Sequence, residues 1–153
     1  MKEFLKAFSS AGASDAYKYL GTFSEKGKTL FRVWAPNAAA VSVVGDFNEW
    51  DVSADPMNKK DVGIWEIKIS GLKNYAVYKY AITGPDGVTV LKSDPYARHF
   101  ETAPANASKL YFSDYNWNDG EWQEKRRKCN IYESPVNIYE LHAGSWKRFA
   151  DGN

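Results

Sequence analysis

Apolar residues recur at spacings of three and four at the start of the chain and at a spacing of two from Lys28 onward. Phe4, Leu5, Phe8 and Ala11 fall on one helical face, which predicts helix from residue 2 to about 20, interrupted near Gly12 and stopped by Gly21. In KTLFRVWA, residues 28–35, Leu30, Arg32 and Trp34 share one side of a strand and Phe31 and Val33 the other, and Pro36-Asn37 closes it. Val41 to Val44 is a second strand. In Ile64 to Ile69, Trp65, Ile67 and Ile69 alternate with Glu66 and Lys68, as a half-buried antiparallel strand requires. Tyr78, Tyr80 and Ile82 alternate likewise with Val77 and Lys79. Gly84-Pro85-Asp86-Gly87 then turns the chain into Val88 to Leu91. Short strands punctuated by turns at this spacing predict a mainly β fold, a β-sandwich behind an N-terminal helix.

Beyond Ser93 the alternation loosens. Residues 94–135 carry Pro95, Pro104, Pro135 and many aromatics, which read as an ordered connection rather than a disordered linker. VNIYELH, Val136 to His142, has the look of a fresh strand. The expected divisions are a helical arm at 1–21, the sandwich at 22–110, a connection at 111–135 and the start of a further body at 136–153.

Composition sharpens one feature. Aromatic residues make up 16% of the 153, with six tryptophans, and one of them lies in VVGDFNEW, Val43 to Trp50. Gly45 breaks the strand there, Phe47 is expected to plug the turn from below, and Trp50 follows three polar residues. Exposed Trp and Tyr present flat faces that stack on sugar rings; Trp34 and Trp65, among alternating apolar positions, are expected to pack in the core or between domains.

Other function classes lack support. Net charge is +1, which gives no field to gather nucleic acid, and the basic run Lys125 to Lys128 flanked by Glu121 and Glu124 reads as a solvated segment. No run of about 18 apolar residues is present to cross a membrane. A single cysteine, Cys129, and no secretion-type leader suggest a cytoplasmic protein, and Asn106-Ala107-Ser108 is then an idle glycosylation pattern. His99 and His142 have no metal-ligand spacing, so no metal or cofactor is expected. No nucleophile elbow or phosphate loop occurs. Glu140 is the best candidate for a buried acid, with His142 nearby, but a glycosidase needs paired carboxylates, and both residues read as structural.

The strings FRVWAPNA, VVGDFNEWD, GIWE, YKY, DPYA and IYELHAGSW, in this order, resemble the N-terminal part of glycogen (1,4-α-glucan) branching enzymes from Tyr19 to Lys147. FRVWAPNA and GDFNEWD also resemble the N-terminal domains of isoamylases and trehalose-releasing hydrolases. The resemblance implies an immunoglobulin-like sandwich that binds α-glucan, followed by a (β/α)8 barrel whose first strand is VNIYELH. It implies that the family's catalytic carboxylates lie on later strands, so this chain is expected to be a non-catalytic fragment whose partners are α-glucan and the rest of the barrel. The parent enzyme would cleave α-1,4 bonds and form α-1,6 bonds with retention. The alternatives are a stand-alone glycan-binding regulatory module and a fragment of an isoamylase- or trehalohydrolase-type enzyme.

Similarity to the glycogen-binding module of the AMP-activated kinase β subunit matches a stacking Trp to Trp50 and a sugar-binding Lys to Lys79. Asn48 is a further candidate hydrogen-bonding residue. That module's second stacking Trp has no counterpart here: the hairpin reads GPDGVTVL.

Overall fold

The computed structural model describes residues 2–130 and 132–147, and the chain divides into two compact units, residues 1–113 and 114–153. The first unit is the expected β-sandwich. One sheet runs in the order β1 (Gly21–Glu25), β2 (Lys28–Trp34), β5 (Ile64–Ser70), β4 (Asn58–Lys59). In the other, β6 (Val77–Thr83) lies at the centre. Its one side pairs with β3 (Ala40–Gly45) and its other side with β7 (Thr89–Lys92) and then β9 (Ser108–Lys109), which β8 (His99–Phe100) extends. The segment before β4 changes sheets. The Val43 N–H donates to the Asp55 carbonyl and the Met57 N–H to the Val41 carbonyl, after which Asn58 and Lys59 join β5.

The inward residues are those the alternation selected. Phe31, Val33 and Trp65 from the first sheet meet Val41, Val43, Tyr78, Tyr80 and Leu110 from the second. Phe31 sets its ring edge-on to Tyr78 with centroids 5.2 Å apart, and the Trp65 indole N–H donates to the Ala35 carbonyl at 2.9 Å. Both indole and phenol therefore bury their apolar bodies without orphaning a polar atom.

The N-terminal helix is shorter than its periodicity suggests. α1 spans Lys2–Ser9 and is closed by the Gly12 N–H to the Ala7 carbonyl and the Ala11 N–H to the Phe8 carbonyl, with Ala11 at φ 56°. This left-handed cap turns the chain away, so Ser10 to Asp15 is not helical and only a short 3-10 turn, Ala16–Lys18, follows. The arm covers the outer face of the first sheet, where Phe4 packs with Leu20 and Ile64 and stacks on Tyr19 at 4.1 Å. Leu30, on the side opposite Phe31, is buried as well. Trp34, on the same outer face, does not lie in the core: it is 51% exposed, with its indole N–H on the Val62 carbonyl and Phe8 against its ring.

The second unit adds one element and corrects one expectation. The basic run lies on a helix, α2 (Gly120–Lys128), which the sequence reading did not assign, and all four of its cations are exposed, as a solvated segment requires. Residues 136–142 form no strand. Val136, Ile138, Tyr139 and Leu141 are exposed, as are Glu140 and His142, and the described chain ends in one helical turn, Ala143–Trp146. A parallel barrel strand needs a neighbour on each side for its backbone hydrogen bonds, and among the described residues none pairs with this segment. Glu140 is accordingly not a buried acid. Residues 148–153 of the expected barrel start lie outside the described residues.

Candidate functional site

Three backbone facts shape the turn after β3. A Cβ on Gly45 would stand 2.1 Å from the Val77 carbonyl oxygen and 2.7 Å from the Phe47 ring, so only glycine lets the strand run this close to β6. Phe47 packs under the turn against the sandwich core. Glu49 and Trp50 both take left-handed φ values, 55° and 62°, which reverses the chain within two residues.

Asn48 holds that reversal in place. Its Oδ1 accepts the Gly45 N–H at 2.9 Å, and its Nδ2 donates to the Val43 carbonyl at 2.9 Å and to Asp55 Oδ2 at 2.7 Å. Both amide protons are thus spent inside the protein. The Trp50 N–H closes the turn on the Gly45 carbonyl at 3.0 Å, and its indole N–H reaches Asp46 Oδ1 at 3.2 Å. Trp50 is 37% exposed, less than Trp34 and far less than Trp117, so its edge is tethered while part of the ring remains open.

Lys79 lies one register step away. Gly45 pairs with Tyr78 and Val44 with Lys79, which puts the lysine on the outward side of β6, opposite the buried Tyr78 and Tyr80. Its ammonium donates to Asn106 Oδ1 at 2.5 Å, and Asn106 is exposed. The structure therefore brings Trp50 and Lys79 to the same end of the β3–β6 pair and gives Lys79 a partner that the sequence reading treated only as an idle glycosylation pattern.

Beneath this surface lies a residue the sequence reading missed. Asp94 is fully buried and accepts the Tyr78 hydroxyl at 2.7 Å, the Tyr80 hydroxyl at 3.3 Å and the Tyr96 N–H at 2.8 Å; its own N–H donates to Ser108 Oγ at 2.8 Å. Burial pushes its carboxyl above the ordinary value of 3.8, against the opposing pull of these donors. Both phenols are held neutral, raised by burial first and by the Asp94 charge second. A Tyr-x-Tyr pair on the inward face of a strand signals such a partner, because two buried hydroxyls need an acceptor. Asp94 thereby ties the inward face of β6 to the segment that leads toward Asn106, and Ser93 Oγ donates to the Asn106 carbonyl.

Among the described residues, no three His, Cys, Asp or Glu side chains gather in a way that would hold a metal ion, and no helix is long and apolar enough to cross a membrane. The model for carbohydrate-binding module 48, the isoamylase N-terminal domain, matches residues 17–97, a span that contains the Trp50 turn, Lys79 and Asp94. The chain belongs to this family. It is also 45% identical, over 97% of its length, to a 1,4-alpha-glucan branching enzyme of Nitrosomonas eutropha. Similar solved structures include a pullulanase from Bacillus acidopullulyticus, with 32% identity, TM-score 0.51 and 61% of this chain and 12% of that one covered. Another is the Klebsiella pneumoniae pullulanase complexed with maltotriose, with 26% identity, TM-score 0.52 and coverage of 69% and 10%. The chain spans about a fifth of the length of the branching enzymes it matches.

Proposed function

We propose that this module binds α-glucan as part of a 1,4-α-glucan branching enzyme, with Trp50 and Lys79 as the sugar contacts. The observation that carries the reading is their arrangement: a partly open indole fixed at its edge by Asp46, at the same end of the β3–β6 pair as an outward lysine fixed by Asn106, on a family 48 sandwich. An indole face stacks on the apolar face of a glucose ring, while the Lys79–Asn106 pair offers an ammonium donor and an amide to its hydroxyls. Asn48, with its amide engaged in the turn, serves the site by positioning Trp50. In the parent enzyme the glucan held here would feed a barrel that cleaves α-1,4 bonds and forms α-1,6 bonds, beginning near residue 136. None of this chain's carboxylates is assigned a catalytic role. The single cysteine supports a cytoplasmic setting. The pullulanase likeness favours a debranching parent as the second reading, and the higher identity to branching enzymes weighs against it.

Affinity electrophoresis through glycogen tests the assignment. The wild-type chain should be retarded, and Trp50→Ala should lose roughly three- to tenfold in affinity, the value of one stacking aromatic. Equal retardation of the two proteins would refute the role of Trp50.

A further inference from the structure

The hairpin between β6 and β7 has no aromatic residue, yet a second aromatic group stands on the same sheet. Tyr75 meets the His99 ring edge-on, with centroids 5.4 Å apart, and Tyr111 closes the group at 5.9 Å from Tyr75 and 6.0 Å from His99. Strand register puts the group on the face that carries Lys79. Val77, two residues before Lys79, pairs with Lys109, which pairs with His99. Side chains two apart on a strand point the same way.

The group is held firmly. The Tyr75 N–H donates to the Leu110 carbonyl at 2.7 Å and the Leu110 N–H to the Ala76 carbonyl at 3.0 Å, so two residues of one strand oppose one of the other. The Asn74 side chain bonds both the N–H and the carbonyl of Phe112, at 2.9 and 3.0 Å. Tyr75 takes φ 68° in this arrangement and is 53% exposed, a costly conformation for a tyrosine. A fully apolar role would bury this ring; here it stays open, rimmed by a phenol and an imidazole that can bond hydroxyls.

The group shares its sheet face with Lys79. Four residues separate Tyr75 from Lys79, roughly 13 Å along a strand, which exceeds a single glucose ring. We propose that Tyr75, His99 and Tyr111 form a second stacking platform for the same α-1,4-glucan chain, so that the module takes a run of several glucosyl units. This rests on the glucan-binding reading above.

The test is calorimetric titration of the wild-type chain, Trp50→Ala and Tyr75→Ala with maltotriose and with maltoheptaose. His99 ring resonances, assigned against His142→Gln, are followed in the wild type. Tyr75→Ala should weaken maltoheptaose about fivefold and leave maltotriose unchanged, and maltoheptaose should shift the His99 signals. Unaltered maltoheptaose affinity in Tyr75→Ala together with unmoved His99 signals, while Trp50→Ala loses binding, overturns the platform alone. A wild-type chain that binds neither sugar overturns both readings. Should Tyr75→Ala not fold, the His99 signals of the wild type decide the matter: shifted they support the platform, unmoved they overturn it.

Discussion

Asp94 shows how one buried side chain organises the strands around it. Its carboxylate is the common acceptor for two phenols on β6 and the cap of the turn that follows β7. Because burial raises its folded-state pKa above the ordinary 3.8, the folded chain holds the proton more tightly than the unfolded chain does. The resulting stability is present in full below the ordinary carboxylate value and is lost as pH rises through the raised folded value. Glu25 and Asp51 are shifted the opposite way, Glu25 chiefly by its bond to Lys68 and Asp51 by the Ser53 N–H, so the raw pH profile mixes both signs. Subtracting the profile of Asp94→Asn isolates the contribution of Asp94. Urea midpoints measured across the carboxylate range should show the wild type losing stability relative to Asp94→Asn as pH rises. Parallel profiles would contradict the assignment.

At the scale of elements, legibility tracked burial. β5 and β6 were readable because each buries one face, so Trp65, Ile67 and Ile69, or Tyr78, Tyr80 and Ile82, alternate with polar residues. β2 is less clear, since Leu30 and Phe31, on opposite faces, are both buried. The end of α1 was hidden: Phe4, Leu5, Phe8 and Ala11 keep helical spacing, but Ala11 leaves the helix in a left-handed cap. α2 escaped notice because GEWQEKRRK has no apolar stripe; it is supported by pairs such as Glu124 with Lys128 at 3.1 Å, exposed contacts of small value. The site was half legible. Trp50 and Lys79 stood out by similarity, whereas Asp94 and Asn106 act through pairings distant in sequence. The arm yields its own prediction. Phe4 fills the space between Leu20 and Ile64, so Phe4→Ala should cost about 3 kcal/mol or more in a denaturant titration. It should also speed amide exchange across residues 2–9. A loss under about 0.5 kcal/mol would show that the arm adds little to the fold.

At the scale of the whole chain, the contrast lies between a first unit whose apolar residues are packed and a segment whose apolar residues are not. In residues 136–142, Ile138 is 91% exposed, and Val136, Tyr139 and Leu141 are exposed with it. A solvated loop rarely carries so many large apolar side chains together, and their alternation with Asn137 and Glu140 is imperfect, as in a strand covered on both faces. If this segment is the first strand of a barrel, its backbone amides lack partners here and acquire them only beside neighbouring strands. Amide exchange should therefore be near the intrinsic rate at residues 136–142 and strongly slowed at Ile64 to Ile69, where β5 is bonded on both sides. In a longer chain that also carries the remaining four-fifths of the branching-enzyme length, the same amides should become protected while those of β5 change little. Protection at 136–142 in this chain equal to that of β5 would overturn the barrel assignment, because the segment would then have found its partners within these 153 residues.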